Sequence, residues 1–267
     1  MKKRKLFLPL MVMVFLFGCS SDNETNSGGT NVTIDKSANL LATGASANDL
    51  LSNNNFDQLL IEIAYVTGFR PTDEALENFE NFLMQRTFKQ NIQFSFNELP
   101  SPNEETLLLD EIVDLESENR TAYNQGGTLA IYIYFADAPA DSDDESEGVV
   151  SLGAVYRNTS MVIYEKTLRD LVGNSVIVTV SDVETATLNH EFGHLFGLVN
   201  LGTTPVNDHE DPDAENHCVV NGCLMRAELQ FGGTMMKAME SNTSKGLAAV
   251  PELDAECILD LQSNGGR

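Results

Sequence analysis

The chain has 267 residues, of which 16 are basic and 40 are acidic, so its formal net charge is −24. A protein with this charge is repelled by nucleic acid and by anionic lipid surfaces, so we expect no nucleic-acid partner. Hydrophobic residues make up 42% of the chain, which is enough to bury a core. The simplest organisation is one domain of roughly 200 residues behind a tether.

Residues 1–18 are predicted to be a signal peptide, because the basic start MKKRK precedes an apolar run too short to span a membrane. The segment LFGC (16–19) resembles a bacterial lipobox, which implies that Cys19 carries lipid in the outer membrane. SSDNE (20–24) resembles the acidic export tag of surface lipoproteins and implies exposure at the cell surface. The alternative is an ordinary signal peptide with an incidental cysteine.

Residues 19–55 are rich in Ser, Asn, Gly, Thr and Asp and have little apolar periodicity. This composition predicts a flexible tether. Without the signal peptide the chain keeps 12 basic and 40 acidic residues, which gives a mature charge of −28.

Apolar runs and helical periodicity alternate along the next part of the chain. They predict strands at 56–69, 91–99 and 128–138, with helices at 70–88 and 104–120 between them. A β-α-β-α-β succession favours parallel strands with right-handed crossovers.

The segment VVSLGAVYRNTSMVIYEK (149–166) predicts two further strands joined in a hairpin, and Val150–Tyr156 is the candidate edge strand. A helix is expected over 181–198, opened by Ser181 or Asp182 with Glu184 as the capping acid. The chain then becomes loop-rich until a last helix at 251–262.

The stretch HEFGH carries the main chemical signal. His190 and His194 stand four residues apart, so they share one face of the helix and can bind one metal ion. Glu191 is placed to take a proton from a metal-bound water. The alternative to a metal site is an amphipathic helix with surface histidines.

Gly197 follows three residues after His194 and lets the helix stop in a left-handed turn. HExxHxxG resembles the metzincin metallopeptidases. The resemblance implies an α/β (α+β) fold with a mixed twisted sheet, an antiparallel edge strand that binds the substrate and an active-site helix. It divides the domain into a catalytic subdomain, 56–198, and a smaller loop-rich C-terminal subdomain, 199–267, ending in a helix.

The third metal ligand of metzincins normally follows that glycine by three residues, where this chain has Asn200, a poor zinc ligand. Downstream, HCVVNGCLM (217–225) resembles the archaemetzincin-like branch. The resemblance implies that His217 is the third ligand, that Met225 forms the Met-turn beneath the metal, and that Cys218 and Cys223 form a disulfide.

Several alternatives stay open. His209 is the rival third ligand, and Met235–Met236 is the rival turn methionine. The cluster HEDPDAEN (209–216) could bind Ca²⁺ or form a solvated acidic loop. The branch also has a distal CxxC pair for a second zinc, which is missing here, so we expect one catalytic Zn²⁺.

The resemblance implies a zinc metalloendopeptidase in which Glu191 is the general base and a protein or peptide is the substrate. We expect a monomer. The alternative is a non-catalytic surface binding module on a degenerate metallopeptidase fold, for which Asn200 is the main argument; retention of Glu191 argues against it.

Overall fold

A five-stranded sheet forms the centre of the fold. Its strands are β1 (Gln58–Val66), β2 (Asn91–Leu99), β3 (Thr128–Phe135), β4 (Gly153–Arg157) and β5 (Ser160–Ile163). The strand order is β2-β1-β3-β5-β4, and every pair is parallel except β4 with β5. The predicted fold class, a mixed sheet with an antiparallel edge strand, is therefore confirmed.

The computed structural model describes residues 35–144, 150–173, 175–227 and 232–267. The predicted signal peptide and Cys19 lie outside these residues. The helices are α1 (Ala47–Leu51), α2 (Asp73–Arg86), α3 (Leu109–Asn119), α4 (Glu165–Val172), α5 (Val180–Leu195), α6 (Gly232–Ser244) and α7 (Ala255–Ser263). A small hairpin pairs β6 (Glu210–Asp211) with β7 (Ala214–Cys218).

Each face of the sheet contributes to a separate core, since side chains alternate between the two faces along each strand. Ile61 and Ile63 point to one face, where α2, α4 and α5 pack in the larger core. Tyr132 and Tyr134 point to the other face and join a second core with Ile112 of α3. Helix α5 therefore lies against the sheet, next to β4.

Helices α4 and α6 and the hairpin β6–β7 were not predicted from the sequence. Helix α4 begins directly after β5, so its first residues were assigned to the strand. Helix α6 starts GGTMM and ends SNTS, a composition with weak intrinsic helix propensity. The hairpin β6–β7 lies in a segment whose many polar residues predicted only a loop.

The tether predicted over residues 19–55 is wrong in its second half. Asn39 is buried and donates to the Ala130 carbonyl at 3.0 Å. Asn158 donates to the Ala38 carbonyl at 2.8 Å, and Leu50 in α1 is buried in the larger core. This segment is held by amide hydrogen bonds more than by apolar side chains, so hydrophobic periodicity gave no sign of it.

Residues Ile34–Arg267 form one compact unit, and the subdomain boundary expected at residue 198 stays a prediction. Among the described residues, none of the helices is both long enough and apolar enough to cross a membrane.

Candidate metal centre

Helix α5 is started by a reciprocal pair of hydrogen bonds. The Thr179 hydroxyl accepts from the Asp182 amide at 3.1 Å, and the Asp182 carboxylate accepts from the Thr179 amide at 2.9 Å. The cap therefore lies two residues before the predicted Ser181, and Asp182 is the capping acid. Glu184, predicted in that role, is buried and accepts from the Thr72 amide at 3.0 Å.

The helix ends in a Schellman motif. Gly197 has a φ of +76°, its amide donates to the His194 carbonyl at 3.0 Å, and the Leu198 amide donates to the Gly193 carbonyl at 3.1 Å. The chain then turns away from the helix. The Asn200 side chain donates to Glu210 of the hairpin β6–β7 at 2.5 Å.

The structure brings His190, His194 and His217 together, and one ligand atom from each lies within 4.8 Å of the others. The Nε2 atoms of His190 and His194 are 3.2 Å apart. The His217 ring stacks against His190 with 5.4 Å between ring centroids. His217, which lies 23 residues after His194 in the sequence, is thus brought next to the two histidines of α5.

Backbone carbonyls fix two of these rings. His190 Nδ1 donates to the Leu224 carbonyl and His217 Nδ1 to the Glu215 carbonyl, both at 2.8 Å. With Nδ1 protonated, each Nε2 carries a lone pair. His217 Nε2 is buried without a hydrogen-bond partner, and the His190 lone pair faces His194. Such converging lone pairs fit a cation such as Zn²⁺.

Burial keeps the three imidazoles neutral, which is the form that binds a metal. It lowers the pKa of His190 to about 3, with a further contribution from His217. Burial also holds the pKa of His194 well below its ordinary value and lowers that of His217.

Glu191 is buried beside the histidines, and its Oε1 has no hydrogen-bond partner. Burial raises the pKa of this carboxyl to about 8. Gly153, the first residue of β4, leaves the space that Glu191 occupies: a Cβ at residue 153 would lie 2.7 Å from Glu191 Cγ. The sequence analysis placed this glycine in the edge strand but did not identify the contact.

A cavity of about 390 Å³ opens onto the centre. It is lined by Thr43, Ala154, Val155, Glu191, His194, Leu201, Glu215, Asn216 and His217. Strand β4 has only β5 as a described neighbour, so its outer edge is free beside this cavity. The predicted edge strand, Val150–Tyr156, is observed as Gly153–Arg157. A free edge can bind an extended peptide by strand addition.

Met225, the predicted Met-turn residue, packs against α5, the helix that carries His190 and His194. It is fully buried and packs on Gly193, where a Cβ would lie 2.2 Å from the Met225 sulfur. The rival methionines, Met235 and Met236, lie on α6 instead of a turn.

His209, the alternative third ligand, is not part of the histidine group. Its Nε2 lies 2.8 Å from the Asp260 carboxylate and its Nδ1 lies 3.3 Å from the Cys218 sulfur. Burial opposes its protonation, but these two partners outweigh burial and raise its pKa. Both ring nitrogens are therefore occupied away from the helical pair.

The predicted Cys218–Cys223 disulfide is not formed, since Cys218, Cys223 and Cys257 are all free thiols. The Cys218 sulfur faces His209, and the Cys223 sulfur lies 3.6 Å from that of Cys257. The late helix thus brings a third sulfur to the pair, which the spacing of the first two cysteines could not indicate.

Two of these thiols belong to a second group of potential metal ligands, which consists of His209, Cys218, Asp254 and Cys257. The cysteines of this group do not form a CxxC pair, and the expectation of one catalytic Zn²⁺ stays a prediction.

The acidic cluster 209–216 gives no support to calcium binding. It forms the hairpin β6–β7, in which Glu210 accepts from the Asn216 amide at 2.7 Å and Asp211 pairs with Arg226 at 3.6 Å. No group of carboxylates there gathers as metal ligands among the residues the structure describes.

Comparison with known proteins gave limited information. No protein-family model matches the chain, and a search of curated proteins found no match. Among solved structures the chain is similar to archaemetzincin from Methanopyrus kandleri, with a TM-score of 0.49 and 14% identity, over 78% of this chain and 96% of that one.

Proposed function

We propose that this protein is a zinc-dependent metallopeptidase, with His190, His194 and His217 as metal ligands and Glu191 as general base. The observation that carries the proposal is the group of three buried, neutral imidazoles with converging Nε2 atoms, beside a buried carboxylate that has an unpartnered oxygen. A purely structural metal site has no use for that carboxylate.

His190, His194 and His217 would hold a zinc ion, which would supply a Lewis acid and lower the pKa of a bound water toward neutrality. Glu191 Oε1 would take up a proton from the attacking water and pass it to the leaving amine. The carbonyls of Leu224 and Glu215 hold the rings of His190 and His217 in the tautomer that presents Nε2.

The substrate backbone is held by the free edge of β4, next to the cavity that contains Glu191 and His194. We propose cleavage in endopeptidase mode, which is tested with a peptide blocked at both termini. A substrate side chain enters the cavity between β4 and the hairpin.

The test compares the wild-type protein with Glu191→Gln, which keeps the size of the side chain and removes the base. We expect one zinc per histidine group in both proteins, with peptide hydrolysis reduced by at least about 1,000-fold in the variant. Glu77→Gln, at an exposed position on α2, is the matched control and should keep full activity. A chelator should abolish hydrolysis and added zinc should restore it.

Wild-type protein that binds zinc in this group but cleaves no peptide would contradict the proposal and favour the non-catalytic binding module. A Glu191→Gln variant with wild-type activity would contradict the role of the base.

We also propose that the enzyme is a lipoprotein of the outer membrane, exposed at the cell surface. Support comes from the basic start, the apolar run and LFGC ending at Cys19. Labelling with a palmitate analogue should mark the wild-type protein and not Cys19→Ser, and added protease should digest the protein on intact cells.

A further inference from the structure

Glu215 places a carboxylate on the wall of the cavity that holds the candidate metal centre. It lies on β7, two residues before His217, and both residues line the cavity. The backbone carbonyl of Glu215 accepts from His217 Nδ1 at 2.8 Å, so the position of Glu215 is tied to that of the ligand.

The side chain is exposed, and Glu215 is not a member of the histidine group. Two other acids of the hairpin are paired: Glu210 accepts from Asn200 at 2.5 Å, and Asp211 pairs with Arg226 at 3.6 Å. Within the described part of the chain, the Glu215 carboxylate has no such hydrogen bond or ion pair.

The described residues that line the cavity include two acids, Glu191 and Glu215, and no lysine or arginine. Glu191 is buried beside the metal ligands, whereas Glu215 is exposed. A substrate group that enters the cavity from solvent therefore meets the negative charge of Glu215. Such a carboxylate attracts cations, and the attraction between charges near a protein surface is stronger than in bulk water.

We propose that Glu215 selects substrates that carry a positive charge near the scissile bond, with a lysine or arginine side chain as the group bound. This inference rests on the proposed peptidase activity and names its substrate class. The same carboxylate would also attract the free ammonium of a peptide's N-terminus, so the experiment separates these two cations.

The experiment uses internally quenched peptides, acetylated and amidated at their ends, in which each position around the scissile bond carries Lys, Gln or Glu in turn. At one position we expect kcat/KM for Lys to exceed that for Gln by about tenfold and that for Glu by more, at low salt. The ratio should shrink at 0.5 M NaCl, because salt screens the interaction. A second set without basic residues compares free with acetylated N-termini.

Glu215→Gln should reduce the Lys-to-Gln ratio to near one, and Glu215→Lys should invert the preference toward Glu. Asp213→Asn is the matched control, because Asp213 is exposed at the turn of the same hairpin and does not line the cavity. It should leave the ratio unchanged. Binding of the Lys and Gln peptides to Glu191→Gln protein, followed by fluorescence anisotropy, should show the same preference without turnover.

Equal rates for Lys, Gln and Glu at every position would overturn the inference while the peptidase assignment stands. So would a Lys preference that survives Glu215→Gln. A preference confined to free N-termini would identify the ammonium as the bound cation and overturn the side-chain assignment. Absence of hydrolysis of every peptide by the zinc-loaded wild type is a different result, since it contradicts the proposed function itself.

Discussion

Gly153→Ala tests whether the first residue of β4 positions the general base. A Cβ at this residue would lie 2.7 Å from Glu191 Cγ and 3.0 Å from both Cδ and Oε1, whereas ordinary contacts begin at 3.4 Å. Glu191 must therefore move by about 0.7 Å or more. A misplacement on the order of 1 Å in an active site costs about 100-fold in rate.

We expect kcat/KM for a peptide to fall roughly 30- to 100-fold in Gly153→Ala, equivalent to about 2–3 kcal/mol of transition-state stabilisation. Zinc content measured by mass spectrometry should stay at the wild-type value, because the three atoms nearest to an added Cβ all belong to Glu191. Far-UV circular dichroism and urea unfolding check that the fold is intact.

Gly127→Ala is the matched control. Its Cβ would lie 2.9 Å from a carboxylate oxygen of Asp57, so it makes a similar close approach to an acid that does not line the cavity. This variant should keep wild-type activity. A folded, zinc-loaded Gly153→Ala protein with wild-type kcat/KM would refute the positioning argument.

Three further predictions follow from the structure. His217→Ala should abolish hydrolysis and weaken zinc binding at the histidine group, whereas His209→Ala should keep kcat within about threefold and lose roughly 1–3 kcal/mol of stability, measured by urea unfolding. Gly197→Ala should lose about 2–4 kcal/mol in the same measurement, because an L side chain is strained at a φ of +76° and its Cβ would lie 2.6 Å from the Thr203 amide nitrogen; wild-type stability would contradict this. Burial, aided by the neighbouring Glu184, raises the pKa of Glu165 to about 9, so the folded state holds a proton that the unfolded state releases near pH 4.5. The stability that this proton provides is fully present below pH 4.5 and is lost by pH 9. The unfolding free energy of the wild type relative to Glu165→Gln should therefore fall by up to about 1.4 kcal/mol per pH unit between pH 4.5 and pH 9. Equal pH dependence of the two proteins would contradict the raised pKa of Glu165.

The parallel sheet could be predicted from the sequence because each buried strand is a short apolar run between helical patterns. The runs at Gln58–Val66 and Thr128–Phe135 are of this kind. The histidine pair and Glu191 could be identified because a four-residue spacing on a helix fixes their relative positions whatever the rest of the chain does.

The parts that escaped prediction depend on contacts between residues far apart in sequence. Gly153 and Glu191 are separated by 38 positions, and only the packing of β4 on α5 brings them together. Cys257 reaches Cys223 through the docking of the last helix. Asn39 is buried through hydrogen bonds with the Ala130 carbonyl and Asn124, and a polar residue in a polar segment gives no periodic signal.

The described fold begins earlier in the chain than the tether predicted over residues 19–55 would allow, and this limits the reach of the proposed lipid anchor. The 3-10 helix Ser37–Asn39 is the first described element; it begins eighteen residues after Cys19 in the sequence, and a fully extended chain of that length reaches at most about 60 Å. A fully extended tether from Cys19 to residue 56 would reach roughly twice as far, about 130 Å. If Cys19 carries lipid as proposed, the point at which the chain enters the fold lies within this shorter distance of the bilayer, and the proposed peptidase would act on molecules held in, or close to, the same membrane.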